Sequence, residues 1–558
     1  MNRRNFIRTT GVSFASILIT DCLFASPNKR WGSSINYPDD VTAIADDEFV
    51  NLYGTGKQAW TGKNITVNLI NTGNCMLVEI QAPGIQLSSV TLNWRIPQKA
   101  NSTILNDQWE RTYGDASWHK SKKTEMLPWY FMEYDGIDTS GFGVKTGTHS
   151  FCYWQISDTS ISLTLDTRSG GMGVQLGNRK LNAAEIVTIK NQSGQSAFQT
   201  TRDFAIIMCE KAHLPGQPVY GINDWYFTYG NNSEKLIIEH TELMMPLAAG
   251  LTNRPFSVID AGWFVGPPSS PNDCCWGDNM DTPNSKFGEM SRVAEKIRSI
   301  GMRPAIWSRP LCGSYKDPKS LMLPLIRGRE ENKPVLDPSI PENLERIQAY
   351  FKLYKQWTYE MVKFDFTTFD ILGKWGFEMI ADGTMTANKW RMNDQSLTTA
   401  EIILNLYKTI REAAGNTYLI GCNTISHLSA GLFELNRIGD DTSGNEWDRT
   451  RKMGVNTLAF RGLQQGIFYS ADADCVGLTL KVDWDKNKQW MELVAKSGTP
   501  LFISAQREAT GTKQKETIKE CFSLASQNLP AGEPLDWMET NLPKKWKLNG
   551  EIVEFNWD

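Results

Sequence analysis

Residues 361–366, with the sequence MVKFDF, decide how the central part of the chain is interpreted. In a β-strand alternate side chains lie on the same face, so Lys363 and Asp365 point the same way. The opposite face carries three apolar side chains, those of Val362, Phe364 and Phe366. Because burying an unpaired charge costs several kcal/mol, Lys363 and Asp365 must compensate each other or face a ligand. The first alternative is an internal salt bridge that braces the fold.

Apolar strand-like runs alternate with amphipathic helices on both sides of this stretch. Three of the helices are predicted at residues 287–300, 342–359 and 400–414. Eight strands are predicted, at residues 223–228, 256–259, 304–307, 361–366, 418–421, 435–439, 466–470 and 500–504. Strands that alternate with helices in this number predict an α/β fold, a (β/α)₈ TIM barrel over residues 216–527.

The preceding region, residues 37–215, consists of short alternating or aromatic-rich runs broken by Gly, Asn, Ser and Asp. Five of these runs are residues 65–69, 75–80, 90–94, 151–156 and 161–165. Turn residues at this spacing predict an N-terminal antiparallel β-sandwich. After the barrel, residues 528–558 include the strand-like run 552–555, which predicts a short C-terminal β appendage.

Residues 1–25 have the features of an export signal. Arg3 and Arg4 precede an apolar run over residues 11–20, and Ala25 offers a cleavage site. This pattern resembles a twin-arginine signal, so the chain is expected in the periplasm or at the cell surface.

Cys22 is an alternative attachment point, for a lipid anchor. No other stretch of the sequence is long and apolar enough to span a bilayer. The sequence therefore predicts an exported chain without a spanning segment.

Charge and composition argue against several classes of function. A net charge of −4 over 558 residues, without a basic stripe, argues against nucleic-acid binding. Five scattered histidines without metal-ligand spacing argue against a zinc hydrolase or a Ser-His-Asp enzyme. The ten cysteines include no CxxC motif, and the adjacent pair Cys274 and Cys275 has no role that the sequence assigns. The 20 tryptophans either fill the core or present flat faces to sugar rings.

In a TIM barrel the active site lies at the carboxyl ends of the strands. Charged residues are found there, namely Asp260, Arg309, Lys363, Asp365, Asp440 and Asp441. Asp365 closes the fourth strand and Asp441 follows the sixth, and two opposed carboxyl groups are what glycoside hydrolysis requires. The alternative for Asp440 and Asp441 is a loop or a helix N-cap, because Asp suits both.

At these residues the sequence resembles the α-galactosidase (melibiase) clan, glycoside hydrolase families 27 and 36. Residues 259–263, IDAGW, resemble the second-strand motif in which Asp contacts the sugar and Trp lines the pocket. Residues 362–365, VKFD, match the strand whose Lys binds substrate and whose Asp is the nucleophile. Residues 437–441, RIGDD, resemble the segment that pairs a substrate-binding Arg with the acid/base Asp. Residues 421–423, GCN, fall where the family has a Cys and a substrate-reading neighbour.

The resemblance implies a retaining exo-α-glycosidase with Asp365 as nucleophile and Asp441 as general acid/base. The four-residue offset from Arg437 selects Asp441 over Asp440. The implied substrate-binding residues are Asp260, Trp263, Trp225, Lys363, Arg437, Cys422, Arg309 and Asn423. Lys363 would keep Asp365 ionised, and a raised pKa would keep Asp441 protonated near neutral pH. The expected partner is a carbohydrate, and no metal or organic cofactor is expected.

Two positions depart from the family pattern, and both concern sugar recognition. Ala261 stands where the family has a second Asp, and Asn423 stands where family 27 often has Glu. Galactose is therefore the family default, while N-acetylgalactosamine, arabinopyranose or a 6-deoxy sugar stay open. Further alternatives are a galactosyl transglycosylase and a non-catalytic carbohydrate-binding protein.

The stretch of residues 367–399 is long for a loop that follows a barrel strand. It contains two tryptophans, Trp375 and Trp390. The sequence therefore predicts that this stretch builds subsites or a lid over the site.

Overall fold

A computed structural model of the chain describes residues 37–96, 101–267, 270, 272–325, 333–387 and 389–558. The predicted export signal over residues 1–25 and the candidate lipid anchor at Cys22 lie outside these residues, so both stay predictions. Within the described ranges, no helix has the length and apolar character needed to cross a membrane.

Thirteen strands in the N-terminal region form one antiparallel sheet. They are β1 Asp40–Ala45, β2 Glu48–Gly54, β3 Ala59–Gly62, β4 Ile65–Asn71, β5 Met76–Gln81, β6 Leu87–Trp94, β7 Thr103–Asn106, β8 Leu127–Pro128, β9 Tyr130–Tyr134, β10 Thr139–Val144, β11 Phe151–Ile156, β12 Ile161–Asp166 and β13 Leu181–Lys190. Their order across the sheet is β7-β9-β10-β13-β5-β4-β3-β2-β1-β6-β12-β11-β8. Pairs such as β1 with β2 and β11 with β12 are hairpins, which antiparallel strands allow.

The side chains of this sheet alternate between a buried and an accessible face, as the sequence pattern predicts. The buried residues of β4 are Ile65, Val67 and Leu69. Phe131 of β9 and Phe142 of β10 contact Trp154 of β11, with ring-centre distances of 5.9 and 6.2 Å. The two ends of the sheet order therefore face each other. A helix that the sequence pattern did not predict, α1 Ala197–Met208, packs on β10 and β13.

Nine parallel strand segments form the second sheet. They are β14 Tyr220–Asn223, β15 Phe256–Ile259, β16 Arg303–Ser308, β17 Met361–Phe364, β18 Tyr418–Gly421, β19 Leu435–Arg437, β20 Ser470–Asp472, β21 Cys475–Leu478 and β22 Leu501–Ala505. Their order is β20-β19-β18-β17-β16-β15-β14-β22-β21. Six of the eight predicted strands coincide with these segments to within two residues at each end.

Helices connect the parallel strands. They are α2 Trp225–Thr228, α3 Glu234–Met244, α4 Met290–Ile300, α5 Pro341–Gln356, α6 Thr367–Leu372, α7 Gly376–Asp382, α8 Thr399–Ala414, α9 Ser426–Ser429, α10 Trp447–Thr450, α11 Thr457–Arg461, α12 Trp484–Lys496 and α13 Thr512–Ala525. A π-helical stretch, Arg451–Asn456, joins α10 to α11, and 3₁₀ turns lie at Met245–Ala248, Lys319–Leu321, Gly462–Gln464 and Arg507–Ala509. Helix α8 begins with a capping box, in which Thr398 and Glu401 satisfy each other's backbone N–H groups.

The first predicted strand, residues 223–228, is misplaced: β14 ends at Asn223 and helix α2 follows it. The side chain of Asn223 accepts a hydrogen bond from the N–H of Trp225 at 2.8 Å. Thr228 Oγ1 donates to the carbonyl of Asp224, also at 2.8 Å. These local side-chain bonds favour a helical turn over an extended chain.

The seventh predicted strand, residues 466–470, is also misplaced, because residues 466–468 form a turn and β20 begins at Ser470. Gly466 has a φ of +71°, and its N–H donates to the carbonyl of Tyr469 at 2.9 Å. Glycine adopts this left-handed conformation readily, so the chain turns before the strand starts.

Three short strands at the C terminus form a separate antiparallel sheet. They are β23 Glu533–Pro534, β24 Lys545–Leu548 and β25 Glu551–Glu554. Asn549 and Gly550 connect β24 to β25 with φ values of +48° and +87°, as in the two-residue turns that match the twist of a hairpin. Trp447 Nε1 donates to the carbonyl of Trp557 at 3.0 Å, which fixes this sheet against helix α10.

Candidate active site

A cavity of about 390 Å³ opens at the carboxyl ends of the parallel strands. Asp260 directly follows β15, Asp365 directly follows β17, and Asp441 lies four residues beyond β19. Because parallel strands end at the same edge of their sheet, residues far apart in the chain meet there. The cavity is lined by Arg111, Tyr113, Trp225, Asp260, Ala261, Cys275, Trp307, Lys363, Asp365, Phe366, Trp375, Phe377, Asp440, Asp441 and Arg449.

The ten predicted site residues divide into two groups. Those that line the cavity are Asp365, Asp441, Asp260, Lys363 and Trp225. Those that are buried behind it are Trp263, Arg309, Cys422, Asn423 and Arg437. Contact between any of these residues and a sugar stays a prediction.

Asp365 is held by the backbone around the end of its strand. Its N–H donates to the carbonyl of Ser308 at 2.9 Å, and its Oδ1 accepts from the N–H of Phe366 at 2.7 Å. Phe366 has a φ of +63°, a left-handed conformation that non-glycine residues rarely adopt, so the chain bends directly after Asp365. The ring of Phe366 consequently lines the cavity. The prediction that it shares a face with Val362 and Phe364 is wrong.

Lys363 forms a buried ion pair with Asp260 instead of acting as the counter-ion of Asp365. Lys363 Nζ lies 2.7 Å from Asp260 Oδ2, and Asn223 Nδ2 donates to the same oxygen at 2.7 Å. Burial alone would lower the pKa of Lys363, but the charge of Asp260 raises it well above its usual range. Lys363 is therefore a fixed cation that orients Asp260.

Asp224 is a buried acid behind Asp260 that the sequence analysis missed. Its Oδ1 accepts from the N–H of Asp260 at 2.7 Å, and its Oδ2 accepts from Asn232 Nδ2 at 2.9 Å. Burial, together with the nearby charge of Asp260, raises the pKa of Asp224 to about 7. Asp224 fixes the strand end from which Asp260 reaches the cavity. A signal for it was its position directly after an apolar strand.

Arg437 is buried at the end of β19 and joins three carboxylates. Its Nη1 donates to Asp441 Oδ1 at 3.0 Å. Its Nε lies 3.0 Å from Asp472 Oδ2, and its Nη2 lies 2.7 Å from Asp474 Oδ1. A planar guanidinium suits such multiple pairing. The structure therefore gives Arg437 a role in holding Asp441, and its predicted sugar contact stays a prediction.

Asp441 lies in a cluster of cations while its side chain stays 41% exposed toward the cavity. Burial of the surrounding site would raise the pKa of Asp441. The charges of Arg437, Arg111 and Lys363 outweigh burial and lower this pKa below its usual value. The prediction of a raised pKa for Asp441 is therefore wrong, because these three nearby cations favour the ionised carboxylate.

An N-terminal segment, residues 107–113, carries two side chains into the cavity wall and is called the cavity segment below. The carbonyl of Thr112 accepts from the N–H of Asp440 at 2.9 Å, which places Arg111 and Tyr113 in the wall. Arg111 Nη2 lies 2.9 Å from Asp440 Oδ1. Neither residue was predicted from the sequence. A signal for them was the charged and aromatic run DQWERTY, which lacks strand alternation.

Asn423 is buried and connects the region of the parallel sheet to the cavity segment. Its Nδ2 donates to the carboxylate of Glu110, which also accepts from the Tyr113 hydroxyl and from the N–H of Gly376. Its Oδ1 accepts from the N–H of Phe369 at 3.0 Å. Both ends of the Asn423 amide are used within the protein, which gives Asn423 a structural role, and its predicted sugar contact stays a prediction.

Trp263 and Arg309 support the cavity wall from behind, and the sugar contact predicted for both stays a prediction. Trp263 is fully buried, and its Nε1 donates to the carbonyl of Trp307, which lines the cavity, at 2.9 Å. Arg309 pairs with Asp370 at 2.5 Å, and its guanidinium carbon lies 3.9 Å from the ring centre of Phe366. These partners satisfy the buried indole and guanidinium groups within the protein.

Cys422 is buried at the end of β18, where its N–H donates to the carbonyl of Phe364 at 2.8 Å. Burial raises the pKa of the Cys422 thiol well above its usual range. The thiol therefore behaves as a small apolar side chain behind the cavity, and its predicted sugar contact stays a prediction.

The long stretch 367–399 forms helices α6 and α7 and contributes to the cavity. Trp375, between the two helices, lines the cavity together with Phe377. Trp390 is buried instead, and its Nε1 donates to Thr386 Oγ1 at 3.2 Å. Trp375 and Phe377 are thus the residues of this stretch that line the cavity, while a subsite or lid function stays a prediction.

No model of a known protein family matches the sequence, and no curated protein matches it. Solved structures do match the fold. TtGalA, an α-galactosidase from Thermus thermophilus in complex with p-nitrophenyl α-D-galactopyranoside, has a TM-score of 0.57 and 16% identity, over 92% of this chain and 98% of that chain. AgaA, a GH36 α-galactosidase from Geobacillus stearothermophilus in complex with raffinose, has a TM-score of 0.58 and 12% identity, over 85% and 70%. The chain has the fold of the family 36 α-galactosidases.

A further family 36 match extends this result. The galactosidase domain of AgaSK, an α-galactosidase-sucrose kinase, has a TM-score of 0.56 and 14% identity, over 84% of this chain and 67% of that chain. The resemblance to the α-galactosidase clan is thus confirmed at the level of the fold, including the N-terminal sheet region. At this low identity the roles of individual residues depend on the geometry of the cavity.

Proposed function

We propose that the chain is a retaining exo-α-glycosidase of the α-galactosidase type, which removes a terminal sugar from an oligosaccharide or polysaccharide. The observation that carries this proposal is that Asp365 and Asp441, from separate strand ends, line one cavity of about 390 Å³. A pair of carboxyl groups at a sugar-sized site is what glycoside hydrolysis uses. Structures of the same fold in complex with a galactoside, stachyose or raffinose support a galactoside-like substrate.

We further propose that the nine parallel segments make up the eight strands of a closed (β/α)₈ TIM barrel. β20 and β21, which end the sheet order, are separated in the chain by only Ala473 and Asp474. They serve as two halves of one bent seventh strand, of which one half pairs with β19 and the other with β22. A barrel collects all its strand ends around one mouth, which is where the proposed site lies.

In the first step, Asp365 attacks the anomeric carbon, and the bond to the leaving oxygen breaks as Asp441 gives that oxygen its proton. In the second step, Asp441 removes a proton from water, and the water oxygen displaces Asp365 from the anomeric carbon. Each step inverts the anomeric configuration, so the product retains it. This mechanism requires the two carboxyl groups to be about 5 to 5.5 Å apart.

The cations around Asp441 favour its ionised form, which the second step uses as a base. For the first step, we propose that Asp441 takes up a proton when the sugar binds. A bound sugar displaces water from the cavity, and the Asp365 anion repels a second negative charge, so both effects favour protonated Asp441. When Asp365 becomes an ester its charge disappears, and the cations again favour ionised Asp441.

Asp260 is the group best suited to bind sugar hydroxyls, because its carboxylate lines the cavity in a fixed orientation. The aromatic faces of Trp225, Trp307 and Trp375 suit the apolar face of a sugar ring. Ala261 lines the cavity at the position where the family places a second acid. A sugar with one hydroxyl fewer, or with a substituent at that place, is therefore included in the proposal.

A panel of aryl α- and β-glycosides tests the proposed function, with galactoside, N-acetylgalactosaminide, fucoside and arabinopyranoside as the sugars. We expect hydrolysis of the galactoside or of one closely related sugar with the same anomeric configuration, and no hydrolysis by Asp365→Asn. A wild-type protein that is folded and turns over none of these substrates would contradict the proposal. Product analysis with excess acceptor separates hydrolysis from transglycosylation.

We also propose that the chain is exported to the periplasm or cell surface. Arg3, Arg4 and the apolar run over residues 11–20 support this proposal. N-terminal sequencing of the protein from cell fractions should find cleavage after Ala25. Retention of Met1 in a cytoplasmic fraction would contradict export, and membrane release by Cys22→Ser would indicate the lipid anchor instead.

A further inference from the structure

Cys274 and Cys275 are adjacent in the chain and lie in the connection between β15 and α4. Their sulfur atoms are 3.3 Å apart. Both are partly exposed, whereas the other cysteines in the described part of the chain are buried. This pair is thus the accessible thiol site of the described residues.

The backbone of the pair is fixed from both sides. Asp273 Oδ1 accepts from the N–H groups of Cys275 and Trp276, each at 3.0 Å. Arg309 Nη1 donates to the carbonyl of Cys275 at 3.1 Å, and its guanidinium carbon lies 4.5 Å from the ring centre of the buried Trp276. The two thiols are therefore held together by structure and not only by their adjacency.

Gly230 makes room for the first thiol of the pair. A Cβ atom at Gly230 would lie 2.3 Å from Cys274 Cβ, and Gly230 has a φ of +84°. Any larger residue would displace Cys274, so the space and the backbone conformation both require glycine. The side chain of Cys274 consequently occupies a defined place beside the cavity.

One cysteine of the pair, Cys275, lies in the wall of the candidate active site, and the two thiols are unequal. Cys275 lines the cavity together with Asp365. The hydrogen bond from Cys275, working against burial, lowers the pKa of Cys274 to about 7, while the same bond raises the pKa of Cys275. Because the thiolate is the nucleophile of a cysteine, the lowered pKa favours Cys274 as the attacking thiol and Cys275 as the resolving one.

We propose that Cys274 and Cys275 form a thiol–disulfide exchange site, of which Cys275 lies in the cavity wall, and that it takes low-molecular-weight disulfides as its substrate. The Cys274 thiolate attacks one sulfur of the small disulfide, whose S–S bond breaks and releases one thiolate. Cys275 then loses its proton to solvent and attacks Cys274 Sγ, which releases the second thiolate. In total one small disulfide is reduced to two thiols, and the two protein thiols are oxidised to one disulfide.

The second step has a consequence for the cavity. A mixed disulfide on Cys274 would leave a bulky group next to Cys275, which lines the cavity, whereas the protein disulfide removes it. Adjacent Cα atoms are about 3.8 Å apart, which is below the span that most disulfides adopt, so the ring is strained and easily reduced. The exchange is therefore reversible by a dithiol, and it does not depend on the proposed glycosidase activity.

The test treats the reduced full-length protein with dithiodipyridine, a disulfide that releases a coloured thione. Compared with Cys274→Ser/Cys275→Ser, the wild type should release two further equivalents of thione and lose two hydrogens in intact mass. Cys275→Ser should release one equivalent and keep one pyridyl adduct at Cys274. Unfolding midpoints of the variants check their folding, and the double variant accounts for reaction at any other cysteine.

Two results would overturn the proposal: a wild type that keeps the pyridyl adduct, or one that releases no more thione than the double variant. Tandem mass spectrometry of the wild-type peptide that contains residues 274–275 tests the proposal without any variant. The expected peptide has an internal disulfide that dithiothreitol removes. These readouts do not involve sugar turnover, so a failure of the exchange site and a failure of the glycosidase proposal are distinguishable.

Discussion

The two carboxylates of the candidate active site lie in different surroundings. Asp365 accepts a hydrogen bond from the N–H of Phe366 at 2.7 Å, and the bend at Phe366 fixes its direction. Asp441 instead accepts from Arg437 Nη1 at 3.0 Å, and cations that include Arg111 lower its pKa. The backbone thus positions one carboxylate, and charge controls the other. This difference suits a nucleophile that must only point correctly and an acid/base that must change its protonation.

Asp365→Asn tests the carboxylate positioned by the backbone and should have the largest effect. An amide cannot form the glycosyl ester, so kcat/KM for the aryl α-glycoside should fall at least about a thousandfold. Initial-rate measurements check this result, with Asp158→Asn on the exposed N-terminal sheet surface as a control of unchanged rate. Near wild-type rates in folded Asp365→Asn would end its assignment as nucleophile.

Asp441→Asn tests the carboxylate controlled by charge, and Asp440→Asn is its matched control. Loss of the general acid should slow hydrolysis of a raffinose-type substrate by about a hundred- to ten-thousandfold. An aryl substrate with a good leaving group should keep part of its first step, and azide should restore turnover of the intermediate. The control should lose much less activity. A larger loss in Asp440→Asn would move the acid/base role to Asp440.

Asn423→Ala tests whether the cavity segment, which supplies a cation to Asp441, is held by Asn423. The substitution removes a hydrogen-bond partner from the buried Glu110 carboxylate and from the N–H of Phe369. Each loss lowers the free energy of unfolding by about 1 to 3 kcal/mol. We expect a lower thermal unfolding midpoint. The exposed Asn445→Ala serves as a control and should unfold like the wild type. Equal midpoints in both variants would contradict this structural role.

Arg111→Gln should have the smallest effect, a shift of the pH profile. The Arg111 cation favours ionised Asp441, so its removal raises the pKa of Asp441. Because the first step needs protonated Asp441, the alkaline limb of kcat/KM should move to higher pH. Arg111→Lys keeps the charge and should leave the limb near its original position. A limb that moves to lower pH in Arg111→Gln would contradict the effect of charge.

The fold was predictable wherever an element follows from a local pattern. Helix α4 was predicted from its apolar spacing and from Gly301, and β15 and β18 were predicted with their observed ends. Residues 223–228 and 466–470 were misplaced, because side-chain hydrogen bonds and a left-handed glycine override apolar runs. Local turn chemistry thus limited the prediction of strand ends.

The candidate site was predictable from local pattern for residues that a strand itself positions, while Asp441 and Trp225 were predicted from the family resemblance. Asp260 and Asp365 follow from strand ends, because period-two alternation and sheet geometry place them. Arg111 and the pairing of Lys363 with Asp260 depend on contacts between distant parts of the chain. The lowered pKa of Asp441 is a sum over such contacts, so a local sequence pattern could not predict its direction.

The most direct test of the central claim is to trap the sugar on its nucleophile. A fluorinated α-galactosyl reagent with a good leaving group forms a glycosyl ester that hydrolyses slowly, and digestion with tandem mass spectrometry locates it. The account predicts a single label on Asp365, in the peptide that contains MVKFDF, and no label in Asp365→Asn. A protein that is inactivated with the label on any other residue would contradict it.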